Sequence, residues 1–302
     1  MTTTTTPRSS QPSNVPLAIW PVTQTTAQYQ RAGRYDPECS AHPGKMLPEL
    51  ARRIVTEYSS SGDLVVDPMA GIGTSVVEAA LLDRRAVGVE LEQRWATMAE
   101  SNFDLMLARP KRRLAKVHLG DARYLPKVLG KLSGTVDLII TSPPYGCDAG
   151  TIDREAWRTG GSLCSPDSFN YSADKANLGH ARGTAYEVAM SEIYAACYAA
   201  LRPGGRLAVV TKNTRRGGRT LDLAGLTVAL AGAAGFSYLQ HVIALHAAIR
   251  DSDLVPRPSY WQITQVRHAR QRGEPVHLVA HEDLTVFLKP LATTTSGDAH
   301  AN

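Results

Sequence analysis

Apolar positions along the chain follow two different periods. Short, nearly continuous apolar runs recur at "LVV" (64–66), "AVGV" (86–89), "DLII" (137–140), "RLAVV" (206–210) and "LTVF" (284–287). Runs of this length, rich in Val and Ile and bounded by Gly, Pro or Asp, predict strands buried on both faces. Between them the apolar residues fall at helical spacing. Leu47, Leu50, Ile54 and Val55 predict a helix over about 47–59, and similar patterns predict helices over 75–83, 91–107, 187–201 and 221–235. With "AKVHL" (115–119) and "FSYLQHVIAL" (236–245), the strands number seven. Strands that alternate with helices predict a doubly wound α/β fold: a mostly parallel, seven-stranded, Rossmann-like sheet covered on both faces. The last two strands have no comparably strong helical pattern between them, which predicts an antiparallel hairpin at one edge.

Four stretches are weakly patterned: 1–41, 146–183, 249–282 and the tail after Pro290. The start, "MTTTTTPRSSQPSNVP", lacks the basic and then apolar stretches of a secretory signal. It cannot bury enough apolar surface to offset its ordering entropy, so 1–41 reads as a disordered tail. The expected organisation is one domain over 42–290 with insertions at about 146–183 and 249–282, and a second disordered tail over 291–302. No apolar run approaches the ~18–20 residues of a membrane helix. Cys39, Cys147, Cys164 and Cys197 form no C-x-x-C pair, so neither a zinc site nor a disulfide framework is indicated and a reducing cytoplasm fits. His277 and His281, four apart on a strand, lie too far apart to share a metal ion.

The formal charge is +5 and the pI about 9.0. Two clusters carry the excess: "RPKRRLAK" (109–116), and Arg202, Arg206, Lys212, Arg215, Arg216 and Arg219 within an acid-free stretch. They are either solvated faces or a nucleic-acid footprint. Lys212 and Asn213 follow a strand at the edge where open α/β sheets bind ligands, either for a substrate backbone or as a solvated strand end.

The candidate chemistry begins where the first strand breaks into "DPMAGIGT" (67–74). Glycines at a strand-to-helix turn let backbone N–H groups approach a ligand closely. No Gly-Lys-Ser/Thr follows, and Val76 stands at the third glycine position of the dinucleotide fingerprint. Glu90 ends the next strand, where an acid can accept both ribose hydroxyls. Asp121 ends the one after, where it could accept from an adenine amine. Together they fit an adenosine ligand without a phosphate chain; singly, each acid could serve as a helix cap. A second feature is "TSPPYGC" (141–147), a strand ended by two prolines. On its own it reads equally as a proline-rich loop with Tyr145 packed against it. Cys147 admits a rival reading as a thiolate nucleophile attacking carbon 5 of cytosine.

"DPMAGIGT" resembles the S-adenosylmethionine loop of amino-methyltransferases, D-P-F-x-G-x-G-T, with Met69 in place of the usual phenylalanine, and "TSPPY" resembles their catalytic motif. "HPGKM" (42–46) resembles the segment over the methionine end of the cofactor. From about His42 to Lys289 the chain is similar to DNA methyltransferases acting on the exocyclic amine of cytosine (N4) or adenine (N6), with the class I methyltransferase fold. The serine form of the turn is commoner among the N4 enzymes. The resemblance implies S-adenosyl-L-methionine as cofactor, contacted by His42, Lys45, Asp67, Pro68, Ala70, Gly71, Gly73, Thr74, Glu90 and Asp121. It implies Ser142, Pro143, Pro144 and Tyr145 as the catalytic turn, no metal, and a nucleic-acid partner, with DNA preferred to RNA. An aromatic amine delocalises its lone pair into the ring. Ser142 Oγ and the Pro143 carbonyl would hold its N–H groups so that the lone pair turns towards the methyl, and Tyr145 would stack on a base taken out of the helix. These enzymes often carry a separate target-recognition domain, for which this chain leaves only the two insertions. "FNYSADKANLGHARGTAYEVAM" (169–190) could hold the target strand or close the cofactor pocket as a lid. Adenine-N6 or structured-RNA methylation, protein-amide methylation and a non-catalytic adenosine-binding regulator are the other functions considered.

Overall fold

The computed structural model describes residues 15–42, 44–144, 174, 176–181, 183–216, 219–258 and 260–291. Tyr145, Cys147, most of the first insertion and the tail from 292 lie outside the described residues, as do the first 14.

The strands are β1 (Ile19–Pro21), β2 (Leu64–Asp67), β3 (Arg85–Glu90), β4 (Ala115–Leu119), β5 (Val136–Thr141), β6 (Leu201–Thr211), β7 (Thr214–Arg216), β8 (Arg219–Leu221), β9 (Ser237–Leu245), β10 (Ala247–Arg250), β11 (Asp253–Pro256) and β12 (His281–Leu288). The helices are α1 (Ala27–Arg31), α2 (Pro48–Tyr58), α3 (Thr74–Leu81), α4 (Gln93–Met106), α5 (Arg109–Arg112), α6 (Leu125–Leu129), α7 (Gly183–Ala200), α8 (Leu223–Ala233) and α9 (Tyr260–Gln271). One sheet runs β1-β9-β12-β6-β5-β2-β3-β4, parallel throughout except for β12, which is antiparallel to both neighbours. β7–β8 and β10–β11 are separate two-stranded hairpins.

The doubly wound α/β sheet expected from the pattern is present, because the central strands are apolar on both sides. All four residues of β2 are buried, as are Leu138, Ile139 and Ile140 of β5. Alternate residues feed two cores. On one face Val65, Leu138, Ala208 and Leu284 pack with Leu50 and Ile54 of α2, Val76 and Val77 of α3, and Trp95 and Phe103 of α4. On the other, Val66, Ile139, Val209 and Phe287 pack with Leu125, Met190, Ile193, Tyr194 and Ala231 of α6, α7 and α8. Each fully buried aliphatic side chain contributes about 1.5–3 kcal/mol.

Three expectations are corrected. The sheet has eight strands, not seven, and the eighth comes from the presumed disordered tail: residues 15–41 supply β1 on the edge of β9, then α1 and a 3-10 turn at Pro37–Ala41. Trp20, Val22, Tyr35 and Cys39 join the core, and the polar anchors that accompany them are not revealed by local pattern. The buried Glu78 carboxylate of α3 accepts from Arg34 at 2.8 Å and Arg52 at 3.3 Å, and Gln30 Nε2 donates to Val22 O. The two late strands do pair antiparallel, but β12 lies inside the sheet and β1 covers β9, so they form no edge hairpin. The weakly patterned chain between them makes β10–β11 and α9. Helix α9 carries Gln262, Thr264 and His268 among its apolar residues, which blunts its helical stripe.

Candidate functional site

β2, β3, β4, β5, β6, β9 and β1 all point one way, so their carboxyl ends share one edge of the sheet with the start of β12. Asp67, Glu90, Asp121, Ser142 and Lys212 each end or follow one of these strands. This edge is where open α/β sheets present ligands.

The glycine loop is pinned there by backbone bonds. Ala70 N donates to Val89 O at 2.9 Å and Gly73 N to Ala70 O at 2.8 Å. Gly71 and Gly73 have φ of +52° and +80°, the left-handed region that L side chains resist. A β-carbon on Gly73 would stand 2.7 Å from Phe103 Cε1. Asn102 of α4 braces the same loop, donating to Ile72 O and accepting from Asp36 N, both at 2.9 Å. Pro68, Ala70 and Thr74 are buried within it.

Asp67 is buried; it accepts from Met69 N at 3.0 Å and from Ser75 Oγ, with the Thr141 hydroxyl nearby. Burial pushes its carboxyl up to about 6 against those hydrogen bonds. Glu90 accepts from Gly71 N at 2.7 Å and Glu92 N at 2.9 Å, so it ties the acidic strand end to the glycine loop. Burial raises its pKa to about 7.

His42 lies directly over the loop: a β-carbon at Gly71 would stand 2.9 Å from its Nε2. Its ring meets Trp95 edge-on at 4.5 Å, and burial followed by the Lys45 charge lowers its pKa to about 3. It is therefore a neutral imidazole. Lys45 Nζ donates to the His42 carbonyl, and burial brings its pKa down to about 8.

Asp121 follows Gly120, whose N donates to Glu90 O at 2.9 Å. The Asp121 carboxylate caps the turn Ala122–Tyr124 through Arg123 N at 2.9 Å and pairs with the Arg123 guanidinium. This is the capping use left open for it, beside a hollow lined by His118, Leu119, Tyr124, Lys127 and Val128. Ser142, Pro143 and Pro144 leave β5 next to β2, with Pro143 buried and Ser142 partly exposed. Tyr145 and Cys147 lie outside the described residues.

S-adenosylmethionine fits the residues present. Thr74 Oγ1 and Trp95 Nε1 are buried at the loop without a hydrogen-bond partner among the described residues, and Glu90 keeps acceptor capacity beside a glycine backbone. Among the described residues no group of His, Cys, Asp or Glu could hold a metal ion, and no helix is long and apolar enough to cross a membrane.

The edge also assembles groups the sequence did not single out. His246 Nε2 pairs with Glu282 at 3.1 Å beyond β9 and β12. Lys212, which the sequence already places at this edge, is drawn down by burial and partly held up by Glu282 and Asp283. Asn177 Nδ2 donates to Glu92, which docks the end of the first insertion beside Glu90. These pairs join residues 36 to 85 positions apart, beyond the reach of any local motif. Asn213 is structural: it donates to Asp222 and accepts from Ala224 N at the start of α8.

The basic clusters divide. Arg109–Lys116 precedes and enters β4 at the opposite, amino edge, where Lys111 pairs with Asp83 and Arg112 with Glu100 and Asp104. Arg202 pairs with Asp137 at that same edge. Lys212 and the β7–β8 hairpin with Arg215, Arg216 and Arg219 stand at the carboxyl edge.

Known proteins resemble parts of this chain. The family described as DNA methylase, N6_N4_Mtase, matches residues 3–101. A tRNA (guanine(10)-N2)-dimethyltransferase of Methanocaldococcus jannaschii is 37% identical over 107 residues, 35% of this chain and 30% of that protein. Type II methyltransferase M.MthZI of Methanothermobacter thermautotrophicus is 39% identical over 56 residues, 18% of this chain and 16% of that protein. The chain thus spans about a third or less of the length of these curated relatives. The solved structure of TrmN from Thermus thermophilus aligns with 85% of this chain and 53% of its own, at 18% identity and a TM-score of 0.46. The chain has the class I methyltransferase fold, and its residues 3–101 match the model of the DNA methylase family.

Proposed function

We propose that the chain transfers a methyl group from S-adenosylmethionine to the exocyclic amine of a base in nucleic acid, with N4 of cytosine in DNA as the first choice. The observation that carries this reading is the seat of the Ser142–Pro144 turn. It leaves β5 beside β2, at the edge that holds the Asp67 loop and Glu90. A rigid turn next to the cofactor loop offers one hydroxyl and one carbonyl as acceptors for the two N–H groups of an amine. Holding both N–H groups rotates the nitrogen lone pair out of conjugation and towards the methyl. When bound, the cofactor supplies an electrophilic methyl and its own leaving group. Ser142 then acts as an acceptor, and no covalent bond between base and protein is required. Tyr145, next in the chain, is the stacking platform, with base–aromatic stacking contributing ~1–3 kcal/mol.

A second reading has a specific observation behind it. The Methanocaldococcus jannaschii relative is named for guanine N2 in tRNA, and the same two acceptors would serve that amine. The two readings share their chemistry and differ in polymer and base. Labelled S-adenosylmethionine, incubated with separate DNA, RNA and protein pools and followed by nucleoside analysis, separates them. N4-methylcytosine in DNA is the expected product. N2-methylguanine in RNA would move the assignment to the second reading, and label in protein alone would overturn both.

A further inference from the structure

We propose that the β10–β11 hairpin is a wedge that enters a DNA duplex and fills the space left when the target base swings out to the Ser142–Pro144 turn; this rests on the function proposed above. An enzyme acting on a base amine must extrude that base, and apolar side chains inserted between base steps are one way to hold the gap. Ile249 and Leu254 face each other across the hairpin in register, one pair below the tip, and are 48% and 55% exposed. Val255 beside them is exposed as well. The pair's cross-strand contact supports the hairpin, but about half of each side chain remains exposed.

The hairpin is held for presentation. A two-stranded hairpin alone is marginal in water. Here its base is fixed: Ala247 and Ala248 are fully buried, Arg257 N donates to His246 O at 2.7 Å, and His246 N donates to Ala280 O at 2.8 Å. The amino-terminal segment clamps one side, Gln24 O accepting from Arg250 Nη2 at 2.7 Å. The turn is tight, Arg250 pairing with Asp253 in register and Asp251 adopting a φ of +53°.

Its place suits a duplex held over the site. The hairpin continues β9, so it rises from the carboxyl edge, three strand spacings or about 14 Å from β5. That is comparable with the ~12 Å width of a major groove. Arg250 is engaged with Gln24, which leaves Arg257, partly exposed just after β11, as the cation nearest the pair along the chain for a phosphate. Asp251 and Asp253 at the tip are unsuited to phosphate, but carboxylates accept from exocyclic base amines.

The site methylated by the wild type is first mapped on plasmid DNA. An Ile249→Ala/Leu254→Ala variant is then compared with it on two duplexes: one with the target normally paired, one with the target opposite an abasic position, where it is already free to leave the stack. We expect about a tenfold or greater loss on the paired duplex and less than about a twofold loss on the other, because only the first needs the gap held. Melting temperature and S-adenosylmethionine affinity should match the wild type. Equal losses on both duplexes, or no loss on either, would overturn the wedge and leave the amine chemistry standing. So would a wild type that methylates only single strands or RNA, or a variant that loses only binding to another protein. A wild type that labels no nucleic acid would remove both proposals together.

Discussion

The imidazole of His42 rests on the α-carbon of Gly71, so closely that a β-carbon there would stand 2.9 Å from Nε2. Two distant segments therefore meet where the cofactor loop needs a bare backbone. Gly71→Ala should impose left-handed strain of about 1–2 kcal/mol and also displace His42. Gly62→Ala is the control: its φ is +87°, and nothing lies within 4 Å of its added carbon. Calorimetry should find cofactor affinity weakened about tenfold or more in Gly71→Ala, the strain and the displaced ring acting together, and unchanged in Gly62→Ala. Equal affinities would separate His42 from the pocket.

If Glu90 accepts from the ribose, cofactor binding should depend on pH. Burial raises its folded pKa from 4.5 to about 7. A raised acid contributes stability that is full below about pH 4.5 and is lost as pH rises through 7, so the cofactor-free protein should lose this contribution over that window. Asp67 acts in the same direction, with its own loss near 6. Ribose hydroxyls donate to the ionised carboxylate, so S-adenosylmethionine affinity should rise between pH 6 and 8, by at most about tenfold per unit. Titrations in buffers of different ionisation heat should detect proton release on binding at pH 7. Glu90→Gln should bind more weakly by ~1–3 kcal/mol and flatten the profile. A wild-type profile already flat over this range would take Glu90 off the ribose.

The acceptor role of Ser142 has its own kinetic signature. Ser142→Ala removes one of two acceptors, so slow transfer should survive while cofactor affinity holds. Tyr145→Ala should lower turnover far more than it lowers cofactor affinity. Cys147→Ala should retain near wild-type activity. An inactive Cys147→Ala with methyl on carbon 5 of cytosine would replace this mechanism by a covalent one.

The division of the basic clusters predicts a division in salt dependence. Lys212→Ala and Arg219→Ala, at the carboxyl edge, should each reduce the slope of log affinity against log salt by about 1. Arg109→Ala and Lys111→Ala, at the amino edge, should leave it unchanged. Equal slopes across all four variants would mean that nucleic acid binds elsewhere.

The sequence alone determined the parts of this protein that are written in local period and local chemistry. A strand buried on both faces must be an apolar run, and a helix between two layers must carry a stripe. So β2, β3, β5, β6 and their covering helices stand within a few residues of where the pattern puts them. Glycines with left-handed φ and a double proline are equally local, which is why "DPMAGIGT" and "TSPP" could be read before their positions were known. Tertiary structure decided whatever depends on partners far along the chain. Residues 15–41 look unfoldable because what they pack against, namely Glu78, Asn102, the edge of β9 and the core that receives Trp20, Val22 and Tyr35, lies far along the chain. Helix α9 and the β10–β11 hairpin have weak patterns because they sit at an edge with few layers to bury against. Asp121 reads from sequence either as an acceptor for an adenine amine or as a cap, and only the structure shows its contacts with Arg123. The two basic clusters look alike in sequence and stand at opposite ends of the sheet, because a parallel strand carries whatever precedes it to one edge and whatever follows it to the other.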